Sequence, residues 1–166
     1  MPEEVHTGSI KQLIPEFIEK DPKEYSPELV ELIDRLTRRK ILKPLIMVGL
    51  NTSGRIAGAG KVFEAVAGYL EERDIDAEVA ETGAIGLNSE EPVLSVQLPG
   101  RTRVLFINVA VDDVQVILDD VFHHTIPREK LLGQIRDEDM DAWQDVPFLD
   151  ELAFFSRQRR ILLKQN

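Results

Sequence analysis

The 166-residue chain contains no cysteine at all. Without thiols it forms no disulfide and offers no thiolate nucleophile, no cysteine-ligated zinc site and no ligands for an ordinary iron–sulfur cluster. Histidine is scarce, with three residues. Uninterrupted apolar runs of the roughly 18 residues that a transmembrane helix needs are also missing. We therefore expect neither thiol-based redox chemistry nor a membrane span.

Basic residues are outnumbered, because 20 lysines and arginines face 30 aspartates and glutamates, for a net charge of −10. Binding to nucleic acid or to an anionic membrane needs a basic face, so neither class of partner is expected. The first ten residues, MPEEVHTGSI, lack the apolar core of a secretory signal, and we expect a cytoplasmic protein. A hydrophobic content of 43% suits a packed globular domain.

The first 43 residues are predicted to form a helical extension. Pro15 predicts a kink or a late start of the first helix, and Ser26 with Pro27 predicts the capped start of a second helix. Apolar residues spaced by three and four define the inward stripe of the first helix, namely Ile10, Leu13, Ile14, Phe17 and Ile18.

Residues 44–124 are predicted to form an α/β domain of the thioredoxin-like type. Its expected order is β-α-β-β-β-α, with a four-stranded mixed sheet that contains one parallel crossover and one antiparallel hairpin. The predicted elements are a strand at Leu45–Gly49, a helix at 56–73, strands at 76–81, 93–98 and 103–109, and a helix at 111–122. Residues 125–166 are predicted to be an irregular linker and docking segment.

Two glycine-rich loops follow predicted strands, in VGLNTSGRIAGAGKVFEAV (48–66) and ETGAIGLNSEEP (81–92). A P-loop is excluded, because Arg55 stands where its first glycine belongs and Val62 follows Lys61 in place of serine or threonine. The dinucleotide pattern G-x-G-x-x-G is also missing after the strand. Gly58 and Gly60 are interpreted as allowing close packing of the following helix.

Other candidate sites are weak. The adjacent residues His123 and His124 point about 100° apart on a helix and do not suit one metal ion. The acidic run at 137–139 lacks the glycine and the closing glutamate of an EF-hand. Ser53 has no nucleophile-elbow motif around it, and we interpret it as a helix N-cap with Thr52 as the alternative. Neither a catalytic residue nor a metal site is predicted.

The two loops and the following hairpin together resemble the thioredoxin-like 2Fe–2S ferredoxin domain of NADH-binding flavoprotein subunits. Such subunits occur in NADH:quinone oxidoreductases of the complex I type and in NAD(P)-linked hydrogenases and formate dehydrogenases. In this family the loops read roughly V-C-x-G-T-x-C-x-x-x-G-A, or V-G-x-G-T-C-G-x-x-x-G-A, and E-T-G-C-x-G-x-C-x-x-E-P, and four thiolates hold the cluster. The resemblance covers about residues 44–122.

The cluster positions depart from the family pattern. They carry Gly49 and either Ser53 or Gly54 in the first loop, and Ala84 and Asn88 in the second. Glycine and alanine offer no ligand, and serine and asparagine are poor ligands for iron. The resemblance therefore implies a domain that has lost its cluster.

Two expectations follow for the loops themselves. Gly83 and Gly86 match the two glycines of the second family pattern, whose shared residues we call the frame. Both are expected to remain because the turn needs glycine. We expect four apolar residues to pack over the vacated site, namely Leu50, Ile56, Ile85 and Leu87.

The C-terminal sequence LAFFSRQRRILLKQN resembles P-F-F-K-K-Q-x-R-I-V-L-R-N-C-G, which precedes the flavin domain in the same subunits. The resemblance implies docking against a flavin domain, on this chain or another, through Phe154, Phe155, Arg160, Ile161 and Leu163. In the isolated chain this apolar and basic segment is expected to fold back or to pair two copies, and we predict a homodimer.

The leading hypothesis is that the chain is a structural or docking domain of an NADH dehydrogenase-like oxidoreductase. By itself this domain is not expected to be catalytic. Its implied partners are the other subunits of that complex. No cofactor is expected in this chain, and FMN, NADH and iron–sulfur clusters are implied only in a following domain or in partner subunits. The alternatives are a free-standing thioredoxin-like adaptor for a protein partner, and a small-ligand binder at the vacated cluster pocket.

Overall fold

A computed structural model describes residues 7–36 and 41–158, and the chain divides into two compact units, 1–41 and 42–166. The first unit contains helix α1 (Thr7–Glu19), a 3-10 turn at Pro22–Glu24 and helix α2 (Pro27–Leu36). Ser26 Oγ caps α2 by accepting a hydrogen bond from Leu29 N at 3.3 Å, as predicted. Pro15 lies inside α1, so the predicted late start is wrong. Ile14, Phe17 and Ile18 of the predicted stripe are exposed.

In residues 42–158, the described part of the second unit, there are a five-stranded mixed sheet and four α-helices. Its elements are β1 (Leu45–Gly49), α3 (Thr52–Ile56), α4 (Ala59–Glu72), β2 (Glu78–Thr82), β3 (Leu94–Gln97), β4 (Val104–Phe106), α5 (Val111–Phe122), β5 (Leu131–Gln134) and α6 (Ala153–Ser156). The strand order is β2-β1-β3-β4-β5. Strands β1 and β2 are parallel and the other pairs antiparallel. The predicted α/β, thioredoxin-like plan is confirmed, but the predicted count of four strands was one too few.

Alternation along the strands builds the core. Every second residue of β1, β3 and β4 faces α4 and α5, because successive side chains of a strand point to opposite faces of the sheet. The helices contribute their own apolar stripes, with residues three or four apart. The residues of this core include Ile46, Val48, Leu94, Val96, Val104 and Phe106 from the sheet, and Val62, Val66, Val114, Ile117 and Leu118 from the helices.

The two ends of the sheet carry different connecting loops. At one end, here called the loop end, β1 leads into residues 50–58 and β3 is preceded by residues 83–91. At the other, the hairpin end, residues 98–103 join β3 to β4. The antiparallel register of β1 with β3, in which Leu45 pairs with Gln97 and Val48 with Leu94, places the two ends on opposite sides of the sheet.

Residues 125–152 contain strand β5 and little other regular secondary structure, and they are organised around one buried glutamine. Gln134, at the end of β5, is 1% exposed. Its Oε1 accepts hydrogen bonds from Thr102 Oγ1 at 2.6 Å and Trp143 N at 2.8 Å. Its Nε2 donates to Trp143 O at 3.0 Å and Val146 O at 2.8 Å. All four hydrogen-bonding positions of the amide are therefore used.

Within the described parts of the chain, no helix is both long and apolar enough to cross a bilayer.

Candidate functional site

The two glycine-rich loops lie side by side at the loop end, and we call residues 50–58 loop 1 and residues 83–91 loop 2. The parallel pairing of β1 with β2 brings Gly49 opposite Thr82, where each strand ends. Leu50 N donates to Thr82 O at 3.1 Å, and Gly49 N donates to Val93 O at 3.0 Å. The backbone at the start of loop 1 is thus bound to both flanks of loop 2.

The side chains of Glu81 and Glu91, on the two flanks of loop 2, bind side chains of loop 1. Asn51 Nδ2 donates to Glu91 Oε1 at 3.0 Å. Arg55 Nη2 lies 3.3 Å from Glu81 Oε2, and its Nε donates to Leu50 O at 2.9 Å. The arginine–glutamate pair is solvated and stabilises little, whereas Glu91 is 8% exposed. These residues of the frame therefore join the loops to each other.

The cluster positions at Gly49, the last residue of β1, and at Gly54 in loop 1 differ in the room that they leave for a side chain. A Cβ added at Gly54 would lie 2.1 Å from Gly49 O, so any side chain there requires the backbone to move. A Cβ at Gly49 would have 3.7 Å to its nearest neighbour, Val93 O. One of the two family patterns places cysteines at positions 49 and 54. The present backbone leaves no room for a cysteine side chain at position 54.

Ser53 is half-buried and hydrogen-bonded, but it is not the helix cap. Its Oγ accepts a hydrogen bond from Asn51 Nδ2 at 2.6 Å. Helix α3 begins at Thr52, so Asn51 occupies the N-cap position, without a side-chain cap bond. The assignment of Ser53, or of Thr52, as the N-cap was therefore wrong. Asparagine is an equally favoured N-cap residue, which is why the sequence did not separate the candidates.

Loop 2 places its two cluster positions at the surface. Ala84 and Asn88 are both exposed, and Asn88 begins a 3-10 turn over Asn88–Glu90. Gly86 has a φ of 90°, which confirms the conformational reason for glycine there. Gly83 has no positive φ, and a Cβ there would meet nothing within 4 Å. The expectation that the turn needs glycine at 83 is therefore wrong.

The expected apolar cover over the loops forms only in part. Leu50 is buried, and Ile85 and Leu87 are half-buried. Ile56, in contrast, is 84% exposed. It follows the buried Gly54 by two residues in α3, and two helical steps of about 100° turn a side chain to the opposite face. The prediction that Ile56 covers the site was wrong for this reason.

A 2Fe–2S cluster does not fit these residues. Four of the five candidate positions are glycine, alanine or the surface residue Asn88, and Ser53 is already engaged by Asn51. In the described residues there is also no group of three or more histidine, aspartate or glutamate side chains that could hold a metal ion. Two buried oxygens of the loops, Asn51 Oδ1 and Glu91 Oε2, find no hydrogen-bond partner among residues 7–36 and 41–158. One amide and one carboxylate are not the ligand set of an iron–sulfur cluster.

The first part of the predicted docking segment lies against loop 2. Phe154, in α6, is 43% exposed, and its Cζ lies 4.0 Å from the place of a Cβ at Gly86. Phe155 packs edge-on against it, with ring centroids 5.0 Å apart. The start of the segment thus folds back on its own unit. The other predicted docking residues, Arg160, Ile161 and Leu163, lie outside the described residues.

An arginine fixes the chain just before α6. Arg136 Nε donates to Asp150 Oδ2 at 2.8 Å and its Nη2 donates to Glu151 Oε1 at 2.6 Å. The guanidinium also lies 3.8 Å from the centre of the Phe148 ring. Hydrogen bonding from Arg136 keeps the pKa of the Asp150 carboxyl below its usual value. This anchor, which no sequence pattern indicated, fixes the 3-10 turn at Leu149–Glu151 that directly precedes α6.

No protein-family model matches the chain, and no curated protein matches it in sequence. Among solved structures it is similar to a thioredoxin-like [2Fe-2S] ferredoxin from Aquifex aeolicus, with 17% identity and a TM-score of 0.47 over 60% of this chain and 98% of that one. A cysteine-to-serine variant of that ferredoxin gives 19% identity and a TM-score of 0.45 over 57% and 99%. Likeness at this level assigns no function. The thioredoxin-like plan rests on the order and direction of the strands.

Proposed function

We propose that the second unit is a non-redox docking domain of an NADH-linked oxidoreductase assembly. The proposal rests on one observation, which is that the two loops are joined to each other while their cluster positions lack suitable ligands. Glu81 and Glu91 join loop 1 to loop 2, while the positions for cluster ligands carry no thiolate. A side chain at position 54 is also sterically excluded. A domain that keeps the frame without the ligands is suited to binding a partner through its surface and not to passing electrons.

The proposed docking surface is the loop end, and it consists of Ile56, Ala84, Asn88 and Phe154. Two of these are large exposed apolar side chains, Ile56 and Phe154, of the kind found at protein interfaces. Phe154 also belongs to the segment that resembles the flavin-domain junction of NADH-oxidising subunits. We therefore propose that the partner is such a subunit, which would carry the FMN, NADH and iron–sulfur sites. A homodimer through the same segment is the alternative occupant.

The test is affinity capture of the full-length chain from its native host, followed by identification of the co-purifying subunits. Ile56→Asp and Phe154→Asp each place a charge on the proposed surface, and Val116→Asp does so on α5, where Val116 is also exposed. We expect NADH-oxidising flavoprotein subunits to co-purify with the unaltered chain and with Val116→Asp, and to be lost with the other two variants. Capture of an unrelated partner that depends on Ile56 and Phe154 would favour the free-standing adaptor. Capture that is indifferent to both would contradict this docking surface.

The proposed loss of the cluster gives a separate prediction. After anaerobic incubation of the purified chain with iron and sulfide, followed by desalting, we expect a colourless protein, because the visible absorption of iron–sulfur proteins needs cluster ligands that this chain lacks. Iron and acid-labile sulfide analyses check the result. Stoichiometric iron and sulfide that co-elute with the protein would overturn the non-redox assignment, whereas the docking surface is tested independently by capture.

A further inference from the structure

A cleft at the hairpin end, on the side of the sheet opposite to the paired loops, has a volume of about 490 Å³. Volumes of this size are usual for small-molecule sites. Its walls come from the β3–β4 turn, the residues after α5 and the segment that Gln134 holds. They include Arg101, His124, Arg128, Asp141, Trp143 and Gln144. Hydrogen-bond donors outnumber acceptors here: two guanidinium groups, an imidazole and an amide face a single carboxylate.

Arg101 is held in position without being neutralised. Its guanidinium carbon lies 4.4 Å from the centre of the Trp143 ring, and its Nη1 donates to Ala142 O at 3.4 Å. Trp143 is itself fixed, because it is buried and its Nε1 donates to Thr102 O at 2.8 Å. Among the described residues, no carboxylate lies within ion-pairing distance of Arg101. In a chain of net charge −10, an arginine that is positioned yet unpaired is available for an external anion.

Arg128 and His124 complete the donor set. Arg128 donates to Asp145 O and lies 4.0 Å from the Asp145 carboxylate, but its side chain remains 61% exposed. His124 has a left-handed backbone with a φ of 59°, immediately beyond α5, where glycine is the residue of lowest strain. Its ring lies 6.3 Å from that of Trp143. An imidazole thus stands in the cleft at a position where the backbone itself favours glycine.

We propose that this cleft binds a small molecule through a phosphate or carboxylate group, with Arg101 and Arg128 as the principal contacts. Guanidinium groups match both oxyanions because each presents paired N–H donors in a plane. The site uses no residue of loop 1, loop 2 or α6. If the cleft binds no anion, the docking proposal is therefore unaffected. If the docking proposal fails, the cleft can still bind an anion.

Trp143 is the only tryptophan in the chain and reports directly on the cleft. The experiment titrates the full-length chain with sodium pyrophosphate and, separately, with sodium malonate, at constant ionic strength adjusted with sodium chloride. We expect a saturable change in tryptophan fluorescence with a Kd of about 1 mM or tighter for at least one probe. The probe that binds more tightly identifies the preferred group.

Three variants and one control make the test specific. Arg101→Ala and Arg128→Ala are expected to weaken binding at least about tenfold. His124→Gly is expected to weaken it without loss of stability, because it relieves a strained backbone. Arg55→Ala, at the loop end, should bind as the unaltered chain does. Fluorescence that does not respond to either probe, or a response that survives both Arg101→Ala and Arg128→Ala, would overturn the proposal.

Discussion

Replacement of Gln134 by alanine is expected to lower the free energy of unfolding by about 3–5 kcal/mol. The substitution leaves a cavity where a side chain was 1% exposed. It also removes the partners of Thr102 Oγ1, of the backbone N–H and carbonyl of Trp143, and of the carbonyl of Val146. A buried polar group that loses its partner costs more than an ordinary hydrogen bond contributes. Urea denaturation followed by the fluorescence of Trp143 measures the change.

The matched control is Gln144→Ala, in the same segment, where the side chain is exposed. We expect that variant to stay within about 0.5 kcal/mol of the unaltered chain, as most surface substitutions do. A loss below about 1 kcal/mol for Gln134→Ala would mean that water replaces the amide without strain. In that case Gln134 would not organise the segment, and the cleft that depends on this segment would have another support.

Gly54→Ala is expected to destabilise the second unit by about 3 kcal/mol or more, because overpacking against a fixed backbone atom is among the most costly core changes. The added methyl group would lie 2.1 Å from Gly49 O and 2.9 Å from Asn51 Oδ1. Relief requires α3 to move away from β1, which would disturb the Asn51–Glu91 link between the loops. Thermal unfolding and urea denaturation both report the loss.

Gly68→Ala is the control for a glycine-to-alanine change with no steric consequence. Gly68 lies inside α4, and a Cβ there meets nothing within 4 Å. Because alanine is the better helix former, we expect stabilisation of about 0.5–1 kcal/mol. If Gly54→Ala behaved like Gly68→Ala, the close approach of α3 to β1 would be wrong, and position 54 would again be open to a ligand side chain.

The elements with strong periodicity were predictable from the sequence, and β5 was not. The apolar run of Leu45–Gly49 and the stripe of Val111–Phe122 correspond to β1 and α5 at both ends. Strand β5 has the sequence LLGQ, with a glycine inside and a polar residue at its end. Its glycine is explained only by the fold, because a Cβ at Gly133 would lie 2.6 Å from Pro147 O. A glycine within a strand often marks the close approach of another backbone. This signal was present in the sequence but was not enough to predict the strand.

The candidate site was predictable in its location but not in its detail. The two loops follow strands that the sequence identified, and parallel strands bring such loops together. The closed position at Gly54 depends on the distance to Gly49 O, which no local pattern encodes. The exposure of Ile56 follows from the start of α3, which was not predicted. The cleft was missed because Arg101, Arg128 and Trp143 are far apart in sequence, and no local pattern indicates that the fold brings them together.

Both margins of the sheet are protected against growth by strand addition. On one margin, β2 presents the exposed residues Glu78 and Glu81, and like charges would face each other if two copies paired there. On the other, Gln134 N of β5 donates to Pro147 O at 2.9 Å, and Gln134 bridges to Phe148, so the chain covers its own last strand. Templated polymerisation through backbone pairing is therefore disfavoured. Association of two copies is therefore expected to use side-chain surfaces, where single substitutions change its affinity.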